Sequence, residues 1–500
     1  MRARSAVILI LPVLSGLAVA VSLAFASANP RTVVVSVGKR IRGVPEIHSG
    51  FVGTSMEYTS VAQVAGPAAD PDGVVAQLIA QLAPGQTPIL RIGGDSTDHA
   101  YWPASGVHDP DRYRFRITSA WLNSVRTLAT SIHARLILGI NLEADSRRLA
   151  ATEAQALLSG LGSGSVQALE LGNEPNLYSA LYWYKTASGQ KVYGRPPSYS
   201  TSQYLSQFSR VAKALPRQAL ADPALGSAKW MQVVLRPLLT RHRQIATVTY
   251  HRYPLNRCFT PRDSPTYPTV PHLMNLSSSR GLAATVKGYV RTAKAHGDRF
   301  RVDELNSVAC SGEPGVSNTF ASALWVVDTL FAMAREGVSG VNIHTLPTAA
   351  YRLFTVYHSG QQWSATVAPE YYGLLLFARA APPGSRLLRA SSSGSSEVRT
   401  WATGGHGKPT RVVLINASPR FSYRVRVEIP SAEASATLQR LRASGLRATG
   451  GVRLGGRAFA HETTTGILPG ARLVTVTATH SSYWVTVPRA SAALLTVPAS

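Results

Sequence analysis

Asn173-Glu174-Pro175 follows the apolar run Val166–Leu171, and Asp303-Glu304 follows a second run, Phe300–Val302. A carboxylate at the end of a buried strand faces whatever cavity the strand ends surround. Two that face one cavity can divide acid and nucleophilic work. One protonates a leaving oxygen while the other attacks the carbon it leaves. That is the chemistry of glycoside hydrolysis, and it needs surroundings that drive the two pKa values apart. Pro175 fixes φ in the turn that aims Glu174. Asn173 is a candidate hydrogen-bond partner for the sugar hydroxyl beside the reacting carbon. An Asn-Glu-Pro taken alone is an ordinary turn, so the reading depends on where the two acids stand.

Eight strand-like runs space the chain: Gly50–Met56, Pro88–Ile92, Ala134–Ile140, Val166–Leu171, Gln218–Ala221, Ile245–Tyr250, Phe300–Val302 and Gly340–His344. Most are apolar without alternation, as parallel strands buried on both faces are. Helix-period stretches lie between them, such as Val74, Val75, Leu78, Ile79 and Leu82 on one face. Thr152 and Ser317-Asn318 are candidate helix caps. This alternation predicts an α/β fold, a (β/α)8 TIM barrel over 48–380, with Glu174 and Glu304 at the carboxyl ends of strands four and seven. The alternative is a doubly wound open sheet, but "FVGTSMEYTS" after the first run is not a phosphate loop. Beyond Ala380 come linker residues and short alternating runs, which predict a C-terminal antiparallel β-sandwich over 381–500. "RTVVVSVG", within 29–47, has the same character and is expected to join that sandwich.

Residues 1–28 read as a secretory signal, with Arg2 and Arg4 before an apolar run and Ala26-Ser27-Ala28 at its end. An uncleaved anchor is the alternative. Both place the body of the chain outside the cytoplasm, secreted or extracytoplasmic, with no other membrane segment. Cys258 and Cys310 are the two cysteines; in an exported chain they are candidates for one disulfide, the alternative being two buried thiols. The formal net charge is +25. It suggests a polyanionic partner such as an acidic glycan, or else a solvated Arg-rich surface. No basic run is dense enough for a nucleic-acid arm. No metal-ligand spacing and no dinucleotide fingerprint is present, so neither metal nor cofactor is expected. The oligomeric state is not legible.

"LELGNEPN" and "VDELNSVACSGEPGVSNTFASALW" resemble the acid/base and nucleophile segments of glycoside hydrolase family 79, the β-glucuronidases and heparanase-like enzymes of clan A. "ILRIGGDSTDHAYW" and "VTYHRYPLN" resemble the family's motifs at strands two and six. The resemblance implies a retaining mechanism, with Glu174 as acid/base and Glu304 as nucleophile. It implies that Glu57 and Asp95 meet hydroxyls of the reacting sugar, and that Tyr253, with His251 beside it, approaches the nucleophile. Tyr351 and the backbone amides of Cys310 and Ser311 match the positions that hold a uronate carboxylate. "ACSGEPG" departs from the consecutive glycines of some relatives there, which puts the loop's shape in doubt. The expected substrate is a glucuronide or a uronate-bearing glycan. The rival readings are a clan A glycosidase for neutral sugars, which would use the two acids without Tyr351, and a non-catalytic carbohydrate-binding protein.

Overall fold

A computed structural model describes residues 31–106, 112–430 and 433–499. The segment read as a secretory signal lies outside the described residues. Among the described residues no helix is long and apolar enough to cross a membrane.

Eight parallel strands close into a barrel: β1 (Val52–Glu57), β2 (Ile89–Gly93), β3 (Arg135–Ile140), β4 (Val166–Leu171), β5 (Leu220–Leu225), β6 (Ile245–Arg252), β7 (Arg299–Leu305) and β8 (Gly340–His344). They pair in chain order, and β8 closes on β1 through Val341–Val52 to His344–Ser55. The helices that follow them carry their apolar stripes inward. In the first, Gly73–Leu82, the Asp72 carboxylate accepts from the Val74 and Val75 amides at its start.

Two local expectations are corrected. β5 runs on through Asp222-Pro223 to Leu225. A proline reads as the end of a strand, but here the pairing with β6 shifts register between Asp222 and Leu225 and absorbs it. Thr152 lies inside the helix Arg147–Leu161, whose cap is Ser146. Ser317 and Asn318 accept from the Glu313 and Gly315 amides, so they close the turn before the helix Phe320–Arg335 instead of capping it.

The carboxyl-terminal strands form one ten-stranded sheet. Its pairs are antiparallel except one: Arg31–Arg40 runs antiparallel to Arg386–Ser393 and parallel to Tyr423–Glu428. The sheet encloses a core of its own, in which Val33 and Val35 meet Val412, Leu414, Val425, Leu438, Val485 and Leu495. Its other face packs on the barrel, with Trp401 stacked on Phe331 at 5.6 Å between ring centroids. Asp328 fastens the joint, accepting from Arg399 at 3.0 Å and from the Trp401 indole at 2.7 Å. The helix Phe320–Arg335, covered on both sides, is therefore buried along nearly its whole length.

Candidate active site

Glu174 leaves β4 in a left-handed conformation, φ 47° and ψ 55°. That region is uncommon for a non-glycine residue, and such strain gathers at functional sites. Its amide donates to the Ala224 carbonyl at 3.0 Å, which anchors the turn to the end of β5. Gly226 makes room for the side chain, because a Cβ there would stand 2.3 Å from Glu174 Oε1. On β7 the strand period separates the two neighbouring acids. Asp303 is fully buried and accepts from the Tyr250 amide at 3.0 Å, whereas Glu304 faces the cavity.

His251 joins the two glutamates. Its Nδ1 lies 3.1 Å from Glu174 Oε1 and 3.8 Å from Glu304 Oε2. The sum of these distances is an upper bound on the separation of the two oxygens. It falls at the bottom of the about 6.5–9.5 Å range of inverting pairs.

Arg91, in the middle of β2, is fully buried beneath them. It donates to Glu170 Oε1 at 2.8 Å through Nε, to Glu304 Oε2 at 2.7 Å and Ser55 Oγ at 3.1 Å through Nη1, and to Asn173 Oδ1 at 3.0 Å through Nη2. Glu170, His251 and Asp303 are close enough together to hold a metal ion. Arg91 fills that role as a cation, with Nη2 3.2 Å from His251 Nε2 and Nε 3.6 Å from Asp303 Oδ2. A guanidinium only donates, so in the neutral imidazole Nε2 must accept and Nδ1–H is left aimed at Glu174.

The surroundings push Glu304 and Asp95 in opposite directions. Burial alone would raise the pKa of Glu304. The His344 and His251 rings in their protonated form, the Arg91 guanidinium and the Tyr253 hydroxyl outweigh it and hold Glu304 well below the ordinary carboxylate range. Tyr253 Oη donates to Glu304 Oε1 at 2.7 Å. Asp95 goes the other way. Its enclosure in the cleft, and then the negative charges of Glu57, Glu174 and Glu304, push it up to about 8. Asp95 is itself open to cavity water, which tempers the shift.

Asn173 is fixed from three sides: by Arg91, by Asp95 Oδ1 at 2.9 Å from Nδ2, and by Asp98 Oδ2, which accepts its amide at 3.0 Å. Asp98 also accepts from the Leu142 and Glu143 amides and from the Tyr178 hydroxyl, and so ties the loops after β2, β3 and β4 together. The Glu57 carboxylate accepts from the Asp95 amide at 3.0 Å, the Ser96 amide at 2.8 Å and the Ser96 hydroxyl, while still lining the cleft.

The cavity, of about 470 Å³, is also lined by Tyr351, Cys310 and Ser311. Cys310, Ser311 and Gly312 are consecutive left-handed residues, with φ 65°, 65° and 79°. Gly312 leaves no space for a side chain, since a Cβ would approach the Tyr351 ring to 3.0 Å. A disulfide joins Cys258 to Cys310. It continues a short parallel pairing of Leu255–Asn256 with Val308–Ala309, so the loops after β6 and β7 are tied to each other. On the other side a second cavity of about 540 Å³ shares Glu57, Asp95, Asn173 and Glu174 with the first. Of the aromatic residues after Glu174, Tyr178, Trp183 and Tyr184 are buried, while Tyr182 and Tyr193 are exposed.

The residues singled out from sequence thus line one cleft: Glu57, Asp95, Asn173, Glu174, His251, Tyr253, Glu304, Cys310, Ser311 and Tyr351. Arg91 and His344 were not singled out. A charged residue inside the apolar run Ile89–Gly93 was the available signal for Arg91, since a buried charge requires partners. His344 ends β8 and bonds Ser55 Oγ through Nδ1 at 3.0 Å, but a single histidine at a strand end announces nothing.

Residues 400–494 match the glycosyl hydrolase family 79 C-terminal beta domain. The chain is 25% identical over 418 residues to a β-glucuronidase of Neurospora crassa, covering 74% of this chain and 72% of that one. It is 24% identical over 478 residues to a β-glucuronidase of Aspergillus niger, covering 85% of each. Among solved structures, a 4-O-α-L-rhamnosyl-β-D-glucuronidase from Fusarium oxysporum superimposes with a TM-score of 0.72 at 17% identity, over 93% of this chain and 100% of that one. A family 51 arabinofuranosidase from Xanthomonas axonopodis pv. citri gives 0.65 at 15% identity, again over 93% and 100%.

Proposed function

From the premise that this chain is a glycoside hydrolase of family 79, we propose that it is an exported, retaining β-glucuronidase. The observation that carries the reading is the pair Glu174 and Glu304, met by one imidazole, in a cavity also lined by Tyr351 and the left-handed turn at Cys310-Ser311.

Glu304 is the nucleophile. Arg91 and Tyr253 keep it ionised and fix both its oxygens. It attacks the anomeric carbon as the glycosidic bond breaks, and the leaving oxygen takes the Glu174 proton. Glu174, now a carboxylate, accepts a proton from water, which attacks the same carbon and releases Glu304 with the β configuration restored. The His251 Nδ1–H steadies Glu174 once it carries charge. The sugar carboxylate is held at the far end by the Tyr351 hydroxyl and the amides of Cys310 and Ser311. Successive backbone N–H groups in such a turn form an anion-binding concavity. Asn173 and Glu57 face the ring hydroxyls. The second cavity, with Tyr182 at its rim, gives room for a further sugar unit. The disulfide supports export, since such bonds persist in oxidising compartments.

The test is hydrolysis of paired 4-nitrophenyl β-glucuronide and β-glucoside, with the first sugar released followed by proton NMR. Preference for the glucuronide with β-glucuronate as initial product is expected. Preference for the glucoside would overturn the uronide assignment, and initial α-glucuronate would overturn retention.

A further inference from the structure

The catalytic cleft leaves the charge of the sandwich unused. Residues 381–500 hold fifteen arginines and lysines and four glutamates. Four of the arginines line one groove. The strand Ser435–Arg442 presents Arg440 and Arg442 on one face, two residues apart. Its outer edge is shared by two short partners: Val474–Thr477 pairs with its first half and Arg453–Leu454 with its end. Where the partner changes, this groove of about 350 Å³ opens, its surface made almost wholly by the carbon stems of Arg440, Arg442, Arg453 and Arg472 with Leu438 and Val474. Gly455 and Gly456, both left-handed, form part of its wall without side chains. Arg472 and Arg440 are held there by their own backbones, through Arg472 N to Gly455 O at 2.8 Å and Gly455 N to Arg440 O at 2.9 Å.

Among the described residues no carboxylate forms an ion pair with any of these four guanidinium groups; the ion pairs of the sandwich are made elsewhere, by Arg386, Arg399 and Arg426. Burial and the neighbouring Arg442 charge push the Arg440 guanidinium below its ordinary value. Four like charges gathered without a counter-charge are complementary to an anion from outside. Guanidinium forks match carboxylates in bidentate geometry. The groove offers no aromatic ring on which a nucleobase would stack.

We propose that this groove is a second binding site, for an anionic polysaccharide that carries uronate carboxylates. It would hold a polymeric substrate on the sandwich while chain ends reach the cleft. The choice of uronate among anionic glycans rests on the reading of the cleft given above; the arginine cluster does not.

The test measures binding of polyglucuronate by the Glu304→Ala protein, which cannot turn it over, with saturating free glucuronate present to fill the cleft. Arg440→Gln/Arg442→Gln should weaken binding about tenfold or more, and Arg453→Gln/Arg472→Gln likewise. Arg389→Gln/Arg420→Gln removes the same charge from exposed sites on the same domain and should change it by less than about threefold. With Glu304 restored, both groove variants should hydrolyse 4-nitrophenyl β-glucuronide within about twofold of the parent, which also reports that they fold. Equal weakening by groove and control pairs would overturn the site in favour of diffuse surface charge. Duplex DNA bound as tightly as polyglucuronate through the same arginines would overturn the ligand class. If polyglucuronate binds through the arginines but no glucuronide is hydrolysed, the cleft reading falls and the groove stands. If glucuronide is hydrolysed and the groove pairs bind as the parent does, the groove alone falls.

Discussion

Arg91 Nη1 donates to Glu304 Oε2 at 2.7 Å from the middle of a barrel strand, and the same guanidinium serves Glu170, Asn173 and Ser55. One buried cation therefore fixes both Glu304 and the residue before Glu174. Arg91→Leu would leave Glu170, Asp303 and Glu304 without it. Breaking a buried ion pair in this way costs about 3–5 kcal/mol. A urea-denaturation midpoint should fall accordingly, and a loss below about 1 kcal/mol would mean that the cluster is not held by Arg91. Arg91→Lys keeps the charge but cannot reach all four partners. It should retain the fold and move the acidic limb of kcat/KM upward, because Glu304 is then held less firmly ionised.

Tyr253→Phe removes the other donor to Glu304 without touching Arg91. A hydrogen bond to a charged group contributes about 1.5–3 kcal/mol, or roughly one to two decades in rate. The acidic limb of the pH profile should rise along with that loss. An unchanged limb would reduce Tyr253 to a wall of the cavity.

The two glutamates should fail differently. Glu304→Ala should abolish turnover of every glycoside, since no covalent intermediate forms. Glu174→Ala should lose about 10²–10⁴-fold where the leaving group needs protonation, and much less with a dinitrophenyl leaving group in the first step. Azide should then rescue Glu174→Ala and give the β-glycosyl azide, identified by NMR. The α-azide from that variant would reverse the stereochemical assignment.

Tyr351→Phe separates substrate charge from scaffold. Loss of one donor to a carboxylate should cost about tenfold or somewhat more in kcat/KM for the glucuronide, and the matched glucoside should barely change. Equal losses on both would make Tyr351 a scaffold residue. Cys258→Ser/Cys310→Ser should raise KM for the glucuronide more than for the glucoside, because the bridge holds the Cys310-Ser311 turn. A bridge over this separation also stabilises the fold by about 2–4 kcal/mol, read as a lower Tm in the variant.

Asp95 makes stability depend on pH. Its folded pKa, pushed toward about 8 and tempered by cavity water, exceeds the unfolded value of about 3.9. Between these the folded state binds the extra proton, so this residue's contribution falls as pH rises above about 4 toward the folded value. Asp95→Asn keeps an acceptor for Asn173 and removes the titration. Its urea midpoint should change less between pH 5 and pH 8 than that of the parent. Identical pH dependence in the two proteins would show that Asp95 is charged throughout.

The sequence by itself determined what depends on local pattern. Apolar runs without alternation, spaced by helix-period stretches, specified eight parallel strands, because strands buried on both faces cannot alternate. Glu174 and Glu304 were legible because each acid follows such a run directly, and Tyr253, Tyr351 and the positions of the Cys310 and Ser311 amides because the surrounding motifs resembled a family; the left-handed shape of that turn was not legible. Only the tertiary structure decided the partners. Arg91, Glu170, Asn173 and Glu304 come from β2, the β4 end and β7, and no spacing along the chain relates them. The barrel brings them within hydrogen-bond distance, and low-dielectric burial then makes each charge require the others. The continuation of β5 through Pro223 has the same origin: closure with β6 sets its register, and the residue type does not. So does the arginine groove, whose residues come from three segments that meet only where one strand changes partner.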